Sequence, residues 1–150
     1  MKPTLTLYTL IVMSLLANPA QSQAQTKPHL NHIAHYVTDL QISTRFYQEV
    51  IGLDTIPEPF HDGRHTWFSI GQGHLHIISG ATAPTEHNKN SHLCFSVKSM
   101  TAFIANLQKH KIPYESWAGE KNGITKRVDG IQQIYFKDPD GYWIEINDDY

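Results

Sequence analysis

The sequence predicts an α+β domain of two repeated βαβββ modules, their strands forming an open, cup-shaped mixed sheet with the helices outside. Two observations carry that prediction. A strand–turn–helix stretch near residue 30 recurs at an offset of 60, and a strand–turn–strand stretch recurs at an offset of 69. The 150 residues leave room for one domain of this size behind a short leader.

The leader comes first. "MKPTLTLYTLIVMSLLANPAQSQAQ" places Lys2 ahead of a largely apolar run from Leu5 to Leu16, then turns small and polar, with Ser22 and Ala24 spaced like a signal-peptidase recognition pair. The apolar run is well short of the ~20 residues a membrane-spanning helix needs. Residues 1–24 therefore read as a secretory signal peptide. The remainder, 25–150, reads as one exported domain, periplasmic or secreted, with no stable membrane insertion after cleavage.

The first module spans 28–82. "LNHIAHYVTDLQISTRFYQEVIGLD" opens with an alternating strand that places Ile33 and Val37 on one face and His32, Ala34 and Tyr36 on the other. Leu40, Ser43, Phe46, Tyr47 and Val50 then recur near a 3.6-residue period, and Gly52 stops the helix. "HTWFSIGQGHLHIIS" reads as two strands around a tight glycine turn. The second module, 88–150, repeats each part. "NSHLCFSVKSMTAFIANLQKHKIPY" sets Leu93, Phe95 and Val97 against His92, Cys94 and Ser96, followed by a helix on Met100, Phe103, Ile104 and Leu107. "QQIYFKDPDGYWIEIND" supplies the closing hairpin around Asp-Pro-Asp-Gly. "GATAPTEHNKN" links the modules.

Composition narrows the function. A net charge of −2 without a basic run argues against nucleic acid as partner. Cys94 is the single cysteine, so no intrachain disulfide can form, and its thiol is expected to be buried and inert. Ten histidines point to metal or proton chemistry. The repeat pairs four of the candidate groups: His32 with His92, and His76 with Glu145. Imidazoles with a carboxylate suit Zn, Ni, Co, Mn or Fe as one divalent ion, and His32, His92 and Glu145 alone would make a two-histidine, one-carboxylate face. His35 is expected in the core, and His74 beside His76 without an acidic partner. His61, His65 and His87 are expected in loops, and His110 on an exposed helix face. Tyr36, Trp67, His74, Arg127, Tyr135 and Trp143 are expected to line a substrate pocket, with Arg64 and Arg127 as candidate holders of an anionic group.

"LNHIAHYVTDLQISTRFYQEVIGL", "SHLCFSV" and "YFKDPDGYWIEI" resemble the vicinal oxygen chelate superfamily, which includes glyoxalase I, extradiol dioxygenases, fosfomycin-resistance thiol transferases, methylmalonyl-CoA epimerases and bleomycin-binding proteins. The resemblance implies metal ligands on the first and last strand of each module, which here are His32, His76, His92 and Glu145. It implies Glu145 and His76 as the catalytic groups. Glyoxalases and epimerases usually carry a glutamate where this chain has His76, which leaves the metal reading intact and unsettles the reaction. The resemblance therefore implies a divalent-metal-dependent enzyme acting on a small oxygen-chelating molecule, a glyoxalase-like lyase or isomerase. An extradiol-type Fe(II) dioxygenase is the alternative, and a non-catalytic binder of the bleomycin-resistance type is the other. Relatives are often homodimers, so a homodimer is a further implication.

Overall fold

The computed structural model describes residues 27–150, so the expected signal peptide over 1–24 lies outside the described residues. In the first half, β1 (His32–Val37), β2 (Thr55–Ile56), β3 (His65–Ile70) and β4 (Gly73–Ser79) form a sheet in the order β1-β4-β3-β2. In the second, β5 (His92–Ser96), β6 (Thr125–Lys126), β7 (Gln132–Lys137) and β8 (Trp143–Asn147) repeat that order as β5-β8-β7-β6. The first and last strand of each half run parallel, and the other neighbours antiparallel. Each half is a βαβββ module, neither sheet is closed, and the fold is the two-module α+β arrangement the repeat predicts. His65 opens β3 rather than lying in a loop.

Strand alternation decides which face is buried. Phe68, Leu75 and Ile77 of one sheet and Ile134, Ile144 and Ile146 of the other are fully buried and belong to one apolar cluster. Burying each such side chain is worth ~1.5–3 kcal/mol. The helices close over that face. In α1 (Leu40–Arg45), Asp39 caps the start by accepting from the Ile42 N–H at 2.9 Å. The helix then widens into π-helical turns over Phe46–Ile51 and ends at Gly52, whose φ of 87° only glycine adopts without strain. The wide turns bury Phe46, Tyr47 and Val50 together. In α2 (Met100–Lys109), Ser99 caps the start, Met100 and Leu107 are buried, and Phe103 and Ile104 pack on the cluster, as the period predicts. His110 is the half-buried C-cap of this helix, not a residue on its exposed face.

The Asp-Pro-Asp-Gly turn between β7 and β8 clasps the other module. The Asp140 carboxylate is 1 % exposed and accepts from the Thr38 N–H (2.7 Å), the Thr38 hydroxyl (2.8 Å) and the Ser43 hydroxyl (2.6 Å). Asp138 accepts from the Tyr47 hydroxyl at 2.8 Å. The Tyr142 hydroxyl accepts from the Tyr36 N–H at 3.0 Å. Gly141 sits at φ 90°, and a Cβ there would meet the Thr85 carbonyl oxygen at 2.6 Å. These bonds tie the β7–β8 turn to the end of β1 and to the helix that follows it.

Candidate metal centre

Opposite the core, each sheet carries a row of polar and aromatic groups set by strand register. In the first sheet His32 pairs with His74, and Ala34, His76 and Trp67 align across β1, β4 and β3. In the second, His92, Trp143 and Lys137 align, then Cys94, Glu145 and Tyr135, then Ser96, Asn147 and Gln133. His32 and His92 hold the same place in the two rows, as do His76 and Glu145. The repeat read from sequence is thus also a repeat of ladder position.

The structure brings the four candidate ligands together as two pairs, one in each sheet. The His32 and His76 rings stack at 4.4 Å with 6° between their planes. His92 Nε2 lies 3.1 Å from Glu145 Oε2. The four do not meet in one cluster. Among the described residues, the group whose ligand atoms lie within 4.8 Å of one another is Glu58, Asp62 and His65. Its carboxylates are turn caps: Glu58 accepts from the Phe60 and His61 N–H groups, and Asp62 from Arg64 N–H and His65.

Donor chemistry tests whether the two pairs suit a metal. His92 Nδ1 lies 2.7 Å from the Lys89 carbonyl oxygen, which can only accept, so Nδ1 carries the proton. In the neutral ring Nε2 then presents a lone pair toward a carboxylate oxygen. Two acceptors at that separation call for a proton or a cation between them. His32 Nδ1 is likewise engaged, by Asn31 Oδ1 at 2.8 Å, leaving its Nε2 free to ligate. His76 Nε2 is buried and has no hydrogen-bond partner. Desolvation, with His32, His74 and His65 nearby, pushes its pKa down to about 4, so it stays neutral. The residues present fit a divalent cation.

Glu145 is held firmly. Its Oε1 accepts from Gln133 (2.6 Å), Asn147 (3.2 Å) and the Cys94 thiol (3.2 Å), and its Oε2 from Tyr135 (2.8 Å). Burial acts to raise its pKa, but the hydrogen bonds from Tyr135, Cys94, Gln133 and Asn147 outweigh it and hold the carboxyl below the usual range. Cys94 is exposed rather than buried. Desolvation and its bond to Glu145 push the thiol up to about 12, so it remains protonated. Trp67 stacks on His76 at 3.5 Å, and His74 lies 6.5 Å from His76. Tyr36 is half exposed on the β1 edge. Trp143 donates its indole N–H to the His87 carbonyl at 3.0 Å. Arg127 is partly exposed and paired with Asp129, and Arg64 donates to the Ser79 carbonyl at 3.2 Å.

His35 is buried as expected, bonded to the Tyr47 hydroxyl at 2.9 Å and stacked on Tyr142 at 3.8 Å. A cavity of about 250 Å³ between β1 and β5 is lined by Ala34, His35, His87, His92 and Tyr142. Sequence reasoning missed Gln133, Asn147 and Lys89. The first two stand two residues from Tyr135 and Glu145, so strand alternation could have found them; nothing in the sequence marks Lys89.

The family model "Glyoxalase/Bleomycin resistance protein/Dioxygenase superfamily" matches residues 29–146. The chain belongs to this superfamily. Among its relatives, the uncharacterized protein YaeR of Escherichia coli is 29 % identical over 129 residues, covering 78 % of this chain and 93 % of that protein. Glyoxylase I 4 of Arabidopsis thaliana is 30 % identical over 126 residues, covering 78 % and 68 %. The solved structure of oxidase ChaP-H2 superposes with a TM-score of 0.68 at 22 % identity, covering 83 % of this chain and 96 % of that one, a likeness of fold. The superfamily membership accounts for the paired modules and leaves the reaction to the site.

Proposed function

We propose that this chain is an exported, divalent-metal-dependent, glyoxalase-like enzyme of lyase or isomerase type, acting on a small oxygen-chelating substrate. The observation that carries it is the contact of His92 Nε2 with Glu145 Oε2 at 3.1 Å, with Nδ1 already committed to a carbonyl. His32, His76, His92 and Glu145 are the residues that would hold the ion, the His32–His76 and His92–Glu145 pairs closing on it from the two sheets. A bound divalent ion supplies Lewis-acid polarisation of substrate oxygens. The chain supplies the rest. Tyr135, Gln133 and Asn147 fix the Glu145 carboxylate before any substrate arrives, so no reorganisation is needed at the moment of reaction. Trp67 covers one face of the His76 ring and sets its plane. His76 Nε2, neutral and unpartnered, is the atom able to accept a bond or a proton. Glyoxylase I 4 among the relatives supports the glyoxalase-like reading. The leader supports export, and homodimer assembly is part of the same proposal.

The face made by His32, His92 and Glu145 favours a second reading, an extradiol-type Fe(II) dioxygenase. Titrating Co²⁺ into metal-free protein while recording visible absorption tests both readings' common requirement. Saturable binding is expected in the unmodified chain and in His110→Ala, with loss in His92→Ala. No saturable binding in the unmodified chain overturns the proposal.

A further inference from the structure

A cavity of about 500 Å³ opens beside the second sheet, with Tyr135, Trp143, Tyr114, Glu115, Lys121 and Lys137 in its wall. It adjoins the candidate centre through Tyr135, which lines the cavity and whose hydroxyl donates to Glu145 at 2.8 Å. Trp143 extends the same wall and stands level with His92 in the ladder.

The charges in this wall do not balance. Its one carboxylate, Glu115, is neutralised by the Lys89 ammonium at 2.6 Å. Lys89 is itself fixed by the carbonyls of Ser116 (2.8 Å) and Trp117 (3.1 Å) and sits 5.0 Å from the Tyr135 ring and 4.9 Å from that of Trp143. Lys121 and Lys137 form no ion pair among the described residues. Lys137 lies 4.9 Å from the Trp143 ring, so its ammonium is held at the cavity's aromatic wall. The arginines that sequence reading put forward for an anion are engaged elsewhere, Arg64 by Ser79 and Arg127 by Asp129. Two unpaired ammonium groups in one lining, that of Lys137 set on the Trp143 ring, suit one ligand class: an apolar or aromatic body ending in an anion. A cationic ligand would be repelled, and a neutral one would leave both lysines without a counter-charge.

We infer that this cavity binds the anionic end of an apolar or aromatic ligand arm, with Lys121 and Lys137 as the residues that recognise the charge. That the other end of the ligand reaches His92 and Glu145 rests on the function proposed above; recognition of the anion does not.

The test compares 3-phenylpropanoate with its neutral isostere 3-phenylpropanamide, following the Trp143 indole N–H by NMR in the full exported chain, metal-free and metal-loaded. The carboxylate is expected to bind about tenfold more tightly than the amide in both forms. Lys121→Gln combined with Lys137→Gln should erase that preference, and Lys126→Gln should leave it intact. Equal binding of acid and amide overturns the inference, as does a preference that survives the double substitution. A preference seen only in metal-loaded protein also overturns it, because the anion would then be on the ion. A metal-free preference in a chain that binds no metal would sustain the pocket while refuting the proposed enzyme.

Discussion

Replacing Asp140 with alanine should loosen the joint between the modules more than any single change on the concave face. The carboxylate takes three hydrogen bonds from Thr38 and Ser43, and Ser43 is fully buried. Asp140→Ala leaves the Ser43 hydroxyl and the Thr38 N–H without acceptors. A buried polar group left unsatisfied costs ~1–3 kcal/mol; the Ser43 hydroxyl bears that cost and the part-buried Thr38 N–H a smaller one, so the two together cost about 2–4 kcal/mol. Set against a total stability of ~5–15 kcal/mol, that is a large fraction. For a domain of this size it corresponds to a fall in Tm of roughly 10–20 °C. Urea unfolding followed by tryptophan fluorescence gives the number directly. Ser43→Ala alone should cost less, and the double variant should show a coupling of about 1–2 kcal/mol. Strict additivity, or an Asp140→Ala protein within about 0.5 kcal/mol of the unmodified one, would refute the clasp.

Two further outcomes follow from buried titratable groups. Burial, with His87 adding to it, holds His35 down to about 4 from an ordinary 6.5. The unfolded chain therefore takes up that proton first, and the stability that neutral His35 contributes is full above pH 6.5 and lost as pH falls toward 4. Burial raises Asp138 to about 6, so there the folded chain protonates first and gains stability as pH falls from 6 toward 4. His35→Gln keeps only the second effect, and its stability from urea unfolding should rise relative to the unmodified chain between pH 7 and 5, by about 2 kcal/mol. A gap constant with pH would contradict this. Cys94, exposed yet pushed up to about 12, should react with iodoacetamide at pH 7.5 about a thousandfold more slowly than an ordinary cysteine. Glu145→Gln should speed that reaction, and ordinary reactivity in the unmodified chain would show the thiol is not held by the carboxylate.

Much of this architecture was legible because strand alternation and helix period are local. The matching ladder places of His32 and His92, and of His76 and Glu145, follow from a period of two once the modules are aligned. The α2 face came out residue by residue for the same reason. What stayed hidden depends on partners distant in sequence. Asp140 bonds to residues about a hundred positions earlier, and the π-helical widening that buries Tyr47 serves a contact with Asp138. Lys89 gains its place only from a loop 26 residues further on. Cys94 was expected on the His92 face of its strand but buried there; it is exposed, and desolvation together with its bond to Glu145 keeps the thiol protonated. The candidate ligands were named from sequence, whereas their grouping into two pairs is a property of the two sheets.

The measurement closest to the central claim is the metal content of the protein purified without a tag, determined by elemental analysis. About one divalent ion per chain is expected, falling to background in Glu145→Gln and unchanged in His110→Ala. The identity of that ion separates the two chemistries, with Fe²⁺ favouring oxygen chemistry and Zn²⁺ or Ni²⁺ favouring lysis or isomerisation. Absence of a stoichiometric ion after repletion, or full occupancy in Glu145→Gln, would contradict the account.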